Sequence, residues 1–398
     1  MLTNLLYKKK YLKYKNKYLD LKNQIGGLLI KNDISYYHTF NTFIDNSTFN
    51  YLSKGRYGLT LEATITDSTL SPYTYITDHT KKVNKLIIKI CLLHDENAGE
   101  RGRTLNFRNS ISLDTSDINE FKNEVNSQTD IYLKTMNYLQ PICPGIVYSS
   151  FSRDESIRIL NTINTNIIPT NRLNIKNILD TIIDNLSNGR ISKVGIIGME
   201  FADNYSLLYN LKKSPNFDIY HHMTLFILLK LAIETGYTHS DFHPGNIFIN
   251  ENDDTYFKSD TGIPILGRPL LIDYGMAQKI PIDKLNQIKT NCENKNYTDA
   301  LKILCTINRP DGEVINNFPT FYGYVCGTYK YLNSSSGLAM TDFEQDTNKK
   351  IITLFKNREN AINILKDEYK IKHESEPDKY PWIPLSNSIK NKMYSGLI

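Results

Sequence analysis

The sequence predicts an α+β fold in two parts: a β-rich first part carrying one long helix, then a helix-rich second part. Three observations predict it. Short apolar and β-branched runs bounded by turns lie at residues 48–52, 59–65, 83–93, 146–149 and 193–201. One helical period crosses them at 118–139, with Phe121, Val125 and Tyr132 or Leu133 on one face. From 283 to 372 helical periods dominate, at 283–292, 297–307 and 351–371. There is no internal repeat, and the two parts read as lobes of one body rather than independent domains. At roughly 150 residues per domain, a chain of 398 residues accommodates that.

The elements follow in order. Tyr7, Tyr11, Tyr14, Tyr18, Leu21 and Ile25 form a heptad seam, and Gly26–Gly27 end it, so residues 1–27 are expected as a basic amphipathic helix. Strands at 48–52 and 59–65 flank a glycine turn, and 83–93 is a third strand with one lysine, Lys89, deep in its apolar run. Residues 95–117 are polar and expected as a loop, an insertion before the helix. Residues 153–192 are Asn-rich with one amphipathic stretch, 175–186, and read as a second insertion. A buried-type helix at 220–234 stops at Gly236, and two short strands, 247–249 and 269–272, follow around a polar excursion at 250–262. The boundaries are therefore 1–27, then 28–202, then 203–398.

Composition narrows the classes. Hydrophobic residues make up 40% and charged residues 22%, which excludes a wholly disordered chain and leaves enough apolar surface for a core. The longest apolar stretch, 223–233, is interrupted by Lys230 and falls far short of the ~20 residues of a membrane span. The lysine-rich N-terminus lacks an apolar signal region, so a cytoplasmic protein is expected. Seven lysines against one aspartate give residues 1–27 a charge of +6, so the rest of the +5 chain carries −1. Nucleic-acid binding is not expected from a neutral body. For the terminal helix a solvated face, a partner-binding or self-associating face, and an RNA or anionic surface contact all stand. Five scattered cysteines without a CxxC pair read as reduced thiols, not a zinc site.

Chemistry concentrates in two places. His239-Ser240-Asp241-Phe242-His243-Pro244-Gly245-Asn246 lies between a buried helix and a short strand, and Leu270-Leu271-Ile272-Asp273-Tyr274-Gly275 is a strand ending in an acid. Together they supply a carboxylate for a reacting group and an Asn with a second carboxylate. Such hard oxygen ligands suit Mg²⁺ shared with phosphate oxygens. Upstream, Ser53-Lys54-Gly55-Arg56-Tyr57-Gly58 is a strand–turn–strand loop whose backbone amides can approach phosphates.

In order, these parts are a glycine hairpin, a strand lysine, a helix glutamate, a strand with Met-Glu, a helix, HxDxxxxN and a strand with Asp-Tyr-Gly. Over about residues 48–280 the chain resembles the protein-kinase-like phosphotransferases. The resemblance implies a bilobal protein-kinase-like α+β fold, with a small antiparallel-sheet N-lobe, a mostly helical C-lobe and ATP in the cleft. It also implies roles. Gly55 and Gly58, with Ser53 in place of the usual first glycine, would cover the ATP phosphates. Lys89 would pair the α- and β-phosphates and be held by Glu124, with Glu120 one turn away as the alternative and Lys85 a weaker competitor to Lys89. Met199 would be the gatekeeper, and the backbone from Glu200 to Ala202 would meet adenine. Asp241 would orient the acceptor hydroxyl and take its proton, Asn246 and Asp273 would hold Mg²⁺, and His239 would support the loop.

Three departures matter. His243 stands where protein Ser/Thr kinases carry a lysine, and HxDxHPGN resembles small-molecule kinases of the aminoglycoside and choline type and atypical kinases linked to quinone metabolism. Ser240 replaces the arginine that would bind a phosphorylated activation loop, so phosphate-gated activation is not expected. No Ala-Pro-Glu follows Asp273-Tyr274-Gly275. The expectation is an ATP- and Mg²⁺-dependent transferase acting on a hydroxyl, of protein Ser/Thr or of a small molecule, with a nucleotide-binding pseudokinase scaffold as the third reading. Separately, YKKKYLKYKNKYLDLKNQIGG, residues 7–27, resembles an N-terminal stretch recurring in proteins of mimivirus-like giant viruses. The abundance of residues with A/T-rich codons, Tyr among them, fits that resemblance.

Overall fold

In the computed structural model the described residues are 29–31, 36–55, 57–75, 82–94, 104–107, 111–135, 142–169, 175–189, 191, 193–202, 205–211, 213–214, 217–250, 268–307, 349 and 352. The expected terminal helix at 1–27, the polar excursion from 251 onward and, apart from residue 352, the helix expected at 351–371 lie outside them. The described part contains seven helices and mostly antiparallel sheet, consistent with an α+β kinase-like fold. The chain divides into two compact units, the first holding the residues up to Val125 and Gly145–Phe201, the second holding Asn126–Pro144 and the described residues from Ala202.

The first unit contains β1 (Leu29–Lys31), α1 (Tyr36–Asp45), β2 (Ser47–Lys54), β3 (Gly58–Ile65), β4 (Tyr73–Tyr75), β5 (Lys85–His94), β6 (Thr104–Phe107), β7 (Ile111–Asp114) and β8 (Ser116–Asp117). α2 (Ile118–Thr135) starts in this unit, and β9 (Ile146–Ser150), α3 (Arg153–Asn166), α4 (Ile175–Ser187) and β10 (Lys193–Glu200) complete it. Its main sheet runs β2-β3-β5-β10-β9, with β8 pairing β5 in parallel. Alternation along β5 assigns its two faces. Leu86, Ile88, Ile90 and Leu92 join the core formed with α1, α3 and α4, whereas Cys91 and Leu93 join Phe121, Ile146, Ile197 and Met199 beneath α2.

Several elements differ from the sequence expectation. Residues 104–107 and 111–114 form an antiparallel hairpin within the stretch expected as a loop; alternation in two four-residue strands is too short a signal to stand out from polar sequence. The second insertion holds two helices, not one. α3 escapes notice because asparagines dilute its apolar face, yet Ile159, Leu160 and Ile163 are fully buried and Asp154 and Glu155 occupy its first turn. α1 was not expected either, although Phe40, Phe43 and Ile44 are fully buried. Each such side chain contributes roughly 1.5–3 kcal/mol through burial, and together they seal the sheet face opposite α2.

In the second unit α5 (Phe217–Thr235) shows no single apolar face, and Met223, Leu225, Phe226, Leu228, Leu229 and Leu231 are buried. Here β11 (Ser206–Leu207), β13 (Ile247–Asn250) and β14 (Arg268–Leu271) form a three-stranded sheet, and β12 (Tyr237–Thr238) pairs β15 (Gln278–Lys279). α6 (Ile282–Glu293) and α7 (Tyr297–Ile307) close the described part. No helix among the described residues is long and apolar enough to cross a membrane.

Candidate functional site

Within the first unit, register places the lysine. Lys89 lies opposite Thr60 of β3 and Ile197 of β10, at the centre of the sheet on the α2 face. Its Nζ is 2.6 Å from Glu124 Oε1, and the two side chains retain 24% and 8% of their exposure. Gly195 lets that helix come close: a Cβ there would sit 2.4 Å from the Phe121 ring. Phe121 thus packs directly on the bare backbone of Gly195, and Glu124, nearly one turn later, meets the lysine.

The two alternatives weighed from the sequence are engaged elsewhere. Glu120 Oε2 accepts from Ser116 Oγ at 2.6 Å and from Asp117 N at 3.4 Å, while Asp117 Oδ1 accepts from Asn119 N at 2.5 Å. That is a capping box at the start of α2, with Asp117 as cap and Glu120 at the third position. The Asp-x-x-Glu spacing is legible in sequence and could have separated Glu120 from Glu124. Lys85 pairs with Glu62 at 3.3 Å and lies 4.9 Å from the Phe201 ring centre.

The glycine turn is asymmetric. At Gly58 an added Cβ would lie 1.7 Å from Ile90 O, so the close approach of β3 to β5 admits no side chain; at Gly55 the nearest atom is 3.9 Å away. Gly55 N donates to Gly58 O at 3.0 Å, closing the turn, and Ser53 is exposed in β2 opposite Thr60. Lys54 Nζ donates to Ser112 O of the β6–β7 hairpin at 3.0 Å. At the far end of β10, Met199 is buried among the α2-side core residues. Glu200 is 6% exposed and is tied to Gly145 twice, its N donating to Gly145 O at 2.9 Å and its Oε2 accepting from Gly145 N at 2.7 Å. Ala202 is half-buried and falls in the second unit.

In the second unit the loop 239–246 is built from polar bonds rather than regular structure. His239 is fully buried, and its Nε2 donates to Ile272 O at 2.8 Å; a carbonyl can only accept, so that nitrogen carries the proton. Burial lowers its pKa, while the Ile272 carbonyl and the charges of Asp273 and Asp241 work in the opposite direction. The Tyr274 ring, 4.8 Å away, supports the imidazole, and burial beside Cys143 pushes its phenol well up. Asn246 Nδ2 donates both to Asp241 O at 3.0 Å and to Asp241 Oδ2 at 3.1 Å. His243 caps the turn Pro244–Asn246, its Nδ1 accepting from Gly245 N at 3.1 Å, and its Nε2 lies 3.7 Å from Asp241 Oδ2. Ile272 N donates to Asn246 O at 3.0 Å, which brings Asp273 alongside. Ser240 and Asp273 both have left-handed backbone, with φ of 58° and 65°, which costs a non-glycine residue about 1–3 kcal/mol.

This donor set fits Mg²⁺. The Asn246 amide spends its N–H₂ on Asp241, which leaves Oδ1 for another partner, and Asp273 is an exposed carboxylate that follows Ile272, whose N–H is bonded to Asn246 O. No cluster of three His, Cys, Asp or Glu side chains in metal-holding geometry occurs among the described residues. An ion held by the Asn246 and Asp273 oxygens would complete its shell with phosphate oxygens and water, the habit of Mg²⁺.

The structure therefore joins Lys89 with Glu124 in one unit, and His239, Asp241, His243, Asn246 and Asp273 in the other. Sequence reasoning passed over the Glu200–Gly145 tie and Gln278, whose partners lie far along the chain and leave no local signal. A family model, the ABC1 atypical kinase-like domain, matches residues 189–304, a segment that includes β10 and the whole loop 239–246 with Asp273. No curated protein matches the chain.

Proposed function

We propose that the protein is an ATP- and Mg²⁺-dependent phosphotransferase that moves the γ-phosphoryl of ATP to a hydroxyl, of a protein serine or threonine. The observation that carries this reading is the hydrogen-bonded pair Asp241 and Asn246, joined through Ile272 N to the strand end that bears Asp273, within a segment matching an atypical kinase-like domain. The reading takes the two units as the small and large lobes of one enzyme. Lys89, aimed by its ion pair with Glu124, neutralises α- and β-phosphate oxygens, and the Gly55–Gly58 turn covers the chain of phosphates. The backbone from Glu200 to Ala202 meets the adenine edge, beside Met199. Asp241, oriented by Asn246 and with its second neighbour His243 at 3.7 Å, accepts the proton of the incoming hydroxyl. Asn246 Oδ1 and the Asp273 carboxylate would hold Mg²⁺, which when bound offsets the charge on the β- and γ-phosphates.

A small-molecule acceptor is the second reading, and His243 favours it. The side chain is committed to capping Pro244–Asn246 and sits beside Asp241, so it does not extend toward a transferred phosphoryl as a lysine would. Purified protein with labelled ATP and Mg²⁺, offered generic protein substrates and a panel of sugars, aminoglycosides and choline, separates the two. Label in protein alone supports the first reading, and label in a small molecule alone replaces it with the second. Thermal stabilisation by ATP and Mg²⁺ with no label transferred anywhere would leave a nucleotide-binding scaffold.

A further inference from the structure

The geometry points to Gln278 as a positioning residue that sets the catalytic loop through Ser240, so that the site is kept in working geometry without a phosphate on the chain. The inference rests on the phosphotransferase reading and adds the regulation of that site. Gln278 Nε2 donates to Ser240 Oγ at 3.0 Å and to Ile307 O, the last residue of α7, at 3.3 Å. Its place is set by strand pairing: Thr238 lies opposite Gln278 and Tyr237 opposite Lys279, and Ile280 N donates to Gly236 O at 2.8 Å. Only four residues separate Asp273 from Gln278, so the chain returns at once from the metal motif to the strand that precedes the loop.

What the amide holds is the strained residue. Ser240 has φ of 58°, in the left-handed region that costs a serine energy, and it immediately precedes Asp241. Relaxation of Ser240 toward ordinary backbone would swing the Asp241 carboxylate away from Asn246, whose two bonds depend on the present direction of the chain. A side-chain bond from a paired strand opposes that relaxation. In the kinase-like pattern the residue before the catalytic aspartate is an arginine answered by a phosphate. Here both partners are neutral, and the bond needs no modification to form.

The test uses the full chain and four variants: Gln278→Ala, Ser240→Ala, the double variant, and Ser240→Asn. Asparagine tolerates left-handed backbone and offers a side-chain oxygen to the Gln278 amide, so it is the conservative rescue. Hydrogen exchange across residues 239–246 and the kcat and KM for ATP are measured, before and after phosphatase treatment. Expected are faster exchange in that segment and a kcat loss of about 10-fold for Gln278→Ala and Ser240→Ala, with KM for ATP unchanged. The double variant should lose no more than either single, and Ser240→Asn should retain kcat. Independent, multiplying losses, a lower kcat after phosphatase, or unchanged exchange in both single variants would overturn the inference. Absence of phosphate transfer by the unmodified protein would sink the parent reading instead. The exchange comparison still decides the tether in that event, and Ser240→Ala leaves the pairing of β15 untouched should Gln278→Ala fail to fold.

Discussion

The first unit and the second hold their charged groups by opposite means. Lys89 and Glu124 sit on regular elements, a central strand and a long helix, and their meeting follows from sheet register and the packing of Phe121 on the bare backbone at Gly195. Asp241 and Asn246 sit on a loop with one left-handed residue, Ser240, held by side chain-to-backbone bonds and a buried histidine. In the first case packing that would exist anyway does the positioning. In the second, each bond exists to hold one group, so damage there should cost activity before it costs stability.

Four outcomes test that contrast. The largest concerns Asp241→Ala, expected to cut ATP turnover by roughly 10³-fold while nucleotide affinity and the unfolding midpoint stay near those of the unmodified protein. Turnover assays with isothermal titration measure both, and unchanged turnover would refute the assignment. Glu124→Gln should instead destabilise, by about 3 kcal/mol in denaturant unfolding, because it leaves the half-buried lysine charge uncompensated. Replacing both partners, as Lys89→Met with Glu124→Leu, should restore most of that stability yet no turnover. Equal stability in single and double variants would show that burial of the pair matters less than argued.

Next comes Gly58→Ala, whose methyl meets a backbone carbonyl oxygen, with an expected loss of about 1–3 kcal/mol; Gly55→Ala, with open space around it, should lose almost none. Comparable melting temperatures for the two would remove the asymmetry of the turn. The smallest effect is a pH dependence confined to the second unit. His239 is buried with its pKa lowered from 6.5, so below that value the unfolded chain binds a proton that the folded chain refuses. Stability should therefore be fully present above about pH 6.5 and fall as pH drops, by at most ~1.4 kcal/mol per unit from this one group. His239→Gln should flatten that slope, and an unaltered slope would place its origin in another group.

Much of this was legible from residue order. The strand around Lys89, the amphipathic helix α4, the apolar helix α5 and the polar loop 239–246 all stand where periodicity and turn residues put them. The short hairpin β6–β7 and helices α1 and α3 were not. Their signals are a few apolar residues diluted by asparagine and threonine, and only burial against the sheet reveals that those residues were enough.

The sequence by itself determined which chemical groups are present and in what order: one lysine deep in a strand, HxDxxxxN, a strand ending in an acid. Tertiary structure decided how they are used. Glu120 and Glu124 are one helical turn apart and chemically identical, and only the capping box at Asp117 and the approach of α2 to the sheet tell them apart. Ser240 and Gln278 are unremarkable polar residues until strand pairing sets them 3.0 Å apart. The reason is physical: periodicity reports which face of an element is apolar, whereas the partner of a polar group depends on long-range register, which local sequence does not encode.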